Sequence, residues 1–194
     1  MRIGIFGGTF DPPHTGHLIV AGDAADALEL DRLWFIPNAS QPLKGDVTAS
    51  ARHRLEMVRL LVGPDPRFGV DTIEVDRTGP SYTVDTLTAY ADRYPDARRH
   101  LLIGADAAAA FPDWREPGRI LELAEVVILQ RAASTGAPVE GGRADPLTGA
   151  RRLRTRRIDI SSTEIRERIR KGESIRGFVP DPVAAYIAAA GLYR

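Results

Sequence analysis

The chain has 194 residues, enough for one domain with a sizeable core, and 43% of them are hydrophobic, which excludes a disordered chain. Its 26 basic residues balance 26 acidic ones, so broad electrostatic attachment to nucleic acid or membrane is not expected, although a local anion site is compatible with zero net charge. With no cysteine, disulfides, iron–sulfur clusters and thiolate zinc sites are ruled out.

The opening MRIGIFGG enters an apolar run at once and carries no cationic leader, and no apolar stretch is long enough to span a bilayer. The expectation is a soluble cytoplasmic protein. In chain order, residues 3–6 form a short apolar run that stops at Gly7-Gly8, which fits a buried strand. Residues 18–30, rich in Ala, Leu and Val, predict a helix, and 32–36 a second strand ending at Pro37-Asn38. Residues 49–62 place Leu55, Val58, Leu61 and Val62 at helical spacing. A strand is predicted over 68–75, a helix over 83–94 that stops before Pro95, and strands over 100–103 and 126–129. Helices at 162–170 and 182–190 complete the chain. Residues 132–150, rich in Gly, Ala, Pro and Ser, predict a mobile surface loop.

Strands alternate with helices, with neither an internal repeat nor a domain boundary. The pattern predicts one α/β domain over 1–194, built on a parallel sheet with helices on both faces. Ligands bind such sheets at the carboxyl ends of the strands, and Gly7-Gly8, Pro37-Asn38 and Gly104-Ala105 all fall there.

The loop after the first strand, Gly7-Gly8-Thr9-Phe10-Asp11-Pro12-Pro13-His14-Thr15-Gly16-His17, has neither G-x-G-x-x-G nor the G-K-[ST] ending of a P-loop. It has the same physical parts. Glycines admit a ligand to the backbone, and Thr15 as N-cap would start a helix whose N–H groups and dipole favour phosphate. His14 and His17, three apart across a helix entry, would face one ligand and stabilise charge on a transferring phosphoryl group. A lone histidine would more often be a local packing group; two at a glycine-rich strand-to-helix turn reverse that preference. A zinc pair ranks low because no third ligand is nearby.

The segment 8–17 matches throughout the G-x-F-D-P-x-H-x-G-H signature and so resembles the nucleotidyltransferase superfamily. The resemblance implies the Rossmann-like nucleotidyltransferase fold, with Gly8, Thr9, Phe10, His14 and His17 around ATP, both histidines on its phosphates, and transfer without a covalent enzyme intermediate. For Asp11, a structural role in tying down the loop weighs as much as ligand contact. Ser161 and Glu164 form an S-x-x-E capping box. The segment Ile160-Ser161-Ser162-Thr163-Glu164-Ile165-Arg166 also resembles the superfamily's I-S-S-T-x-I-R, which implies phosphate contacts for Ser162, Thr163 and Arg166.

Four further segments narrow the resemblance to nicotinate-nucleotide adenylyltransferases. They are 34–38 (WFIPN) followed by Pro42-Leu43-Lys44, 79–86 (GPSYTVDT), 103–106 (IGAD) followed by 111–114 (FPDW), and the tail from Phe178-Val179-Pro180 to Gly191-Leu192-Tyr193. This likeness implies ATP and nicotinate mononucleotide as substrates, Lys44 near the phosphates, and Ser81, Tyr82, Thr83, Gly104, Asp106 and Trp114 around the acceptor. Trp114 would stack on the flat ring, and the N–H groups at the helix start near Ser81 and Thr83 would take its carboxylate in preference to a carboxamide. Mg²⁺ would arrive on the ATP phosphates with few or no protein ligands.

Arg54 admits a structural ion pair or a phosphate contact, and His53 has no functional account. The turn after 126–129 departs from the family's Arg-Pro-Gly pattern, since Ala132-Ala133 follow Arg131. The arginine run 151–157 lacks interleaved aromatics for stacking bases, so it is expected to be an exposed strand edge, with charge contact to another subunit as a second reading.

Overall fold

The computed structural model describes residues 1–39, 47–131, 147 and 150–194. Six strands form one sheet: β1 (Arg2–Gly8), β2 (Arg32–Pro37), β3 (Phe68–Val70), β4 (Arg98–Gly104), β5 (Glu125–Arg131) and β6 (Arg151–Thr155). Every pairing is parallel, in the order β3-β2-β1-β4-β5-β6. The order reverses direction between β1 and β4, which makes that junction the switch point of a doubly wound sheet. The helices are α1 (Thr15–Ala27), α2 (Ala51–Val62), α3 (Thr83–Arg93), α4 (Ala105–Ala109), α5 (Pro117–Leu123), α6 (Ser162–Arg170) and α7 (Asp181–Ala189), with a 3₁₀ turn at Phe111–Asp113.

The central strands read as continuous apolar runs because both their faces are covered. Alternate residues divide between two cores. Phe6, Leu33, Phe35, Leu102, Val127 and Leu129 pack against α1, α2, α6 and α7. Ile3, Ile5, Ile36, Leu101, Ile103, Val126 and Ile128 pack against α3 and α5.

Three predicted boundaries move. Helix α1 runs over Thr15–Ala27 rather than 18–30: it is capped from His14, and Glu29 at φ 50° breaks it at the far end. The strand predicted over 68–75 stops at Val70. There the Asp71 carboxylate accepts from the Ile73 backbone N–H (3.0 Å), the Tyr90 hydroxyl (2.7 Å) and Arg93 (2.7 Å), turning the chain out of the sheet. The short helices α4 and α5 and the turn between them were not anticipated, and α5 begins at Pro117, where a missing N–H costs nothing. The arginine run 151–157 supplies β6 at the sheet edge with its first five residues, with Arg151, Arg152 and Arg154 exposed, while Arg156 and Arg157 follow the strand. Lys44, Pro42, Leu43 and nearly all of the 132–150 segment lie outside the described residues.

Candidate active site

Two cavities open at the switch point. The larger, about 600 Å³, lies between the loop after β1 and the start of α6, and is bordered by Gly8, Thr9, Phe10, His14, His17, Asp106, Ser162, Thr163 and Arg166. The smaller, about 220 Å³, reaches toward α3 and α5 and is bordered by Asn38, Glu74, Ser81, Tyr82, Thr83, Trp114 and Arg115. Gly7, Gly8, Thr9, Gly104 and Ala107 border both. At Gly7 and Gly104 a Cβ would meet nothing within 4 Å, so the ends of β1 and β4 present bare backbone where the cavities join.

His14, not Thr15, is the N-cap of α1. Thr15 is the first helical residue; its N–H goes to the Phe178 carbonyl (2.9 Å) and its hydroxyl to Gly177 (3.3 Å), so it ties the helix start to the chain's tail. The His14 backbone N–H donates to His17 Nδ1 (3.2 Å), and the two rings stack with centroids 3.7 Å apart and planes 29° off parallel. A ring whose Nδ1 accepts carries its proton on Nε2, so this bond fixes His17 as a neutral donor through Nε2. Gly16 permits the arrangement, because a Cβ there would sit 3.0 Å from His14 Nδ1.

Phe10 borders the larger cavity, but its ring is 3% exposed and packs edge-on against Phe6 and His17. Its backbone is left-handed (φ 51°), and its ring occupies the space a Cβ on Gly8 would need, 2.8 Å away. Asp11 is buried, and its carboxylate accepts from the backbone N–H groups of Thr48 (2.8 Å) and Ala49 (3.1 Å) and from the Tyr193 hydroxyl (2.7 Å). Of the two roles weighed for Asp11, the structure realises the tying one.

Helix α6 approaches the same loop. The Ser161 hydroxyl caps it by accepting from the Glu164 N–H (3.1 Å), the Ser162 hydroxyl donates to the Pro12 carbonyl (2.7 Å), and Arg166 donates to the Asp11 carbonyl (2.6 Å) and to the Thr163 hydroxyl (3.2 Å). Arg166 and Thr163 thus stand beside the histidines on one cavity wall.

On the smaller cavity, the Ser81 hydroxyl accepts from the Ala39 N–H (3.1 Å) and donates to Glu74, while Thr83 opens α3 with Tyr82 as its cap. Trp114 is half-buried against Phe111, centroids 5.3 Å apart, and borders the smaller cavity. Gly104 lies at the join, whereas Asp106 borders the larger cavity rather than the smaller one with which it was grouped.

Four residues here were not anticipated in these positions. Arg115 sits over the Tyr82 ring (4.8 Å to the centroid), and among the described residues bordering the smaller cavity it is the one cation. Glu74 is a buried carboxylate in that wall. Nothing in the sequence marks it, since it falls in a stretch that reads as strand. Arg54, 1% exposed, donates to the carbonyls of Thr9 (2.6 Å), Asn38 (2.6 Å), Ala39 (3.2 Å) and Ala49 (3.2 Å) and to Asn38 Oδ1 (3.1 Å). It is a clamp between the loops after β1 and β2, in place of either role weighed for it. Burial lowers its pKa, and nearby Asp11 opposes that. His53 Nδ1 meets the Tyr186 hydroxyl at 2.8 Å, which joins α2 to α7.

Residues 5–168 match the model of the cytidylyltransferase-like family. The chain is 51% identical over 199 residues to a protein of Gemmatimonas aurantiaca described as a probable nicotinate-nucleotide adenylyltransferase, covering 100% of this chain and 93% of that one. A protein of Thermus thermophilus with the same description is 45% identical over 194 residues, covering 100% of both chains. Among solved structures, the nicotinic acid mononucleotide adenylyltransferase of Plasmodium falciparum complexed with NaAD superposes with a TM-score of 0.78 at 17% identity, over 99% of this chain and 97% of that one, a likeness of fold.

Proposed function

The chain belongs to the cytidylyltransferase-like family and, within it, to the nicotinate-nucleotide adenylyltransferases, and from that membership we propose how its site works. The enzyme transfers AMP from ATP to nicotinate mononucleotide, giving nicotinate adenine dinucleotide and pyrophosphate, a step of NAD biosynthesis. The observation that carries the assignment of parts is the meeting of two cavities over bare glycine backbone at the switch point, with the histidine pair on one side and Trp114 on the other.

ATP takes the larger cavity, with its phosphates against His14, His17, Thr163 and Arg166. Gly8, Thr9 and Phe10 line it, Ser162 holds the loop in register, and Lys44 contributes from the segment after β2. The nicotinate ring takes the smaller cavity, stacked on Trp114. Backbone N–H groups around Ser81, Tyr82 and Thr83 and the Arg115 guanidinium receive its carboxylate. The acceptor 5′-phosphate then lies over Gly7 and Gly104, in line with the α-phosphorus.

The reaction is a displacement: the new P–O bond forms to the acceptor phosphate as the bond to pyrophosphate breaks. That phosphate is already ionised near neutral pH, so no strong general base is needed. What the protein supplies is positioning and charge stabilisation, with His17 donating through Nε2 and Arg166 countering charge on the phosphates. Mg²⁺ supplies further neutralisation when bound with ATP and keeps most of its waters. Of the two carboxylates bordering the larger cavity among the described residues, Asp11 is engaged by three donors, so Asp106 would face the ion's waters.

One domain over 1–194 is supported by a single sheet drawing strands from Arg2 to Thr155. Among the described residues no helix is long and apolar enough to cross a membrane. The deciding experiment is pyrophosphate release with ATP, Mg²⁺ and either nicotinate or nicotinamide mononucleotide. Strong preference for the acid is expected; equal rates would remove the carboxylate site, and no release with either would remove the acceptor assignment.

A further inference from the structure

The acceptor ring is a zwitterion. Its carboxylate is negative, and its nitrogen, bonded to the ribose, is a permanently positive pyridinium. A cavity that selects this ring has two charges to meet, and among the described residues the smaller cavity carries both signs at its border, the cation Arg115 and the carboxylates Glu74 and Asp113.

Glu74 is unusual among these. It is 8% exposed, far from what a carboxylate normally accepts. Its hydrogen bonds come from two neutral hydroxyls, Thr86 at 2.8 Å and Ser81, and among the described residues it makes no ion pair. The cation that influences it, Arg77, lies toward Asp85, 3.9 Å away, and Asp71 adds a like charge nearby. Burial raises its pKa and the two hydroxyls act the other way. A buried carboxylate held by hydroxyls, without a cation in contact, costs stability that the fold alone does not recover. A cation brought by the ligand would recover it.

We propose that Glu74 is the counter-charge for the positive ring nitrogen of the acceptor nucleotide, held toward the ring cavity by Ser81 and Thr86. This rests on the acceptor assigned above. Glu74 acts in binding, and the bond-making atoms lie elsewhere, at the glycine-lined join. The ring is thereby read at both poles, and a flat anion without a cationic nitrogen is bound less well than its shape would suggest.

The test compares nicotinate mononucleotide with its reduced form, whose dihydropyridine nitrogen is neutral while its carboxylate, ribose and phosphate are kept. Binding of each to the full-length protein is measured by titration calorimetry, for wild type, Glu74→Gln and Thr86→Val, alongside pyrophosphate release. The wild type is expected to bind the oxidised form about tenfold more tightly, which is about 1.4 kcal/mol. Glu74→Gln keeps the size and the acceptor oxygen and should erase that ratio, by weakening the oxidised form alone. Thr86→Val removes a hydroxyl and leaves the charge, and should keep the ratio. A wild type that binds both forms equally, or a Glu74→Gln variant that weakens both alike, overturns the proposal while normal pyrophosphate release leaves the function standing. A wild type that releases no pyrophosphate and binds neither form overturns the acceptor assignment, and this inference with it.

Discussion

Replacing Arg54 by Leu tests the mechanical basis of the site. The guanidinium makes five hydrogen bonds to four residues on three segments, the loop after β1, the loop after β2 and the lead into α2. Hydrogen bonds to a charged group contribute about 1.5–3 kcal/mol each, which summed naively would rival the whole stability of a typical domain. The desolvation of a cation 1% exposed offsets several kcal/mol of that. Removing one partner of a buried charged network costs about 3–5 kcal/mol net, because the carbonyls left behind are desolvated and unmet and Asp11 loses its nearby cation. For a chain of this size each kcal/mol moves the melting temperature by roughly 2–4 °C, so Arg54→Leu is expected to melt about 6–20 °C lower by calorimetry. Arg54→Lys should recover little, since an ammonium cannot reproduce the fork that spans Thr9 and Asn38. Assayed well below its melting point, the Leu variant should also show a raised KM for ATP, because the Thr9 and Asn38 carbonyls lose the donor they share and only the Asn38 amide to Thr9 hydroxyl bond (3.3 Å) still joins those side chains. A variant melting within about 2 °C of wild type would refute the reasoning.

His17→Ala should cut kcat by about 10²–10³ while changing the KM of the acceptor little, as expected for loss of a donor to the reacting phosphates; normal turnover would remove His17 from the mechanism. Trp114→Ala should raise the acceptor KM about tenfold and leave that of ATP alone, and an unchanged value would rule out stacking. Arg115→Gln, at a side chain 52% exposed, should raise the KM of nicotinate mononucleotide about fivefold without raising that of the nicotinamide form, and an equal rise for both would place the guanidinium on a phosphate instead. His100 is buried beside Glu125, and burial lowers its pKa below 6.5. Below that value the unfolded chain takes up a proton that the folded state resists. Its contribution is therefore full above pH 6.5 and is lost as pH falls toward the folded value. Melting curves of His100→Leu should flatten relative to wild type between about pH 7 and 5, and parallel curves would show that His100 does not set this slope.

Much of the architecture is local information. Apolar runs at 3–6, 100–103 and 126–129 fit strands buried on both sides, and the glycines after the first two, with Pro37 after 32–36, marked the carboxyl edge of the sheet. The histidine pair and the Ser162–Arg166 segment were legible because phosphate binding demands donors at helix starts, and those are spelled out by neighbouring residues. What sequence could not give was any property made by segments far apart. Thr15 read as a cap until the tail at Gly177 and Phe178 claimed its hydroxyl and N–H, leaving His14 to cap α1. Arg54 read as an ion-pair or phosphate arginine, because its five acceptors belong to segments that only the fold brings together. Glu74 carried no signal at all, since a carboxylate in an apparent strand becomes a wall of the smaller cavity only when Asp71 turns the chain and α3 packs over it. Periodicity and capping are interactions over a few residues and are written in order along the chain. Burial, clamping and the division of one cleft into two cavities join segments as far as 182 positions apart, and the fold alone decides them.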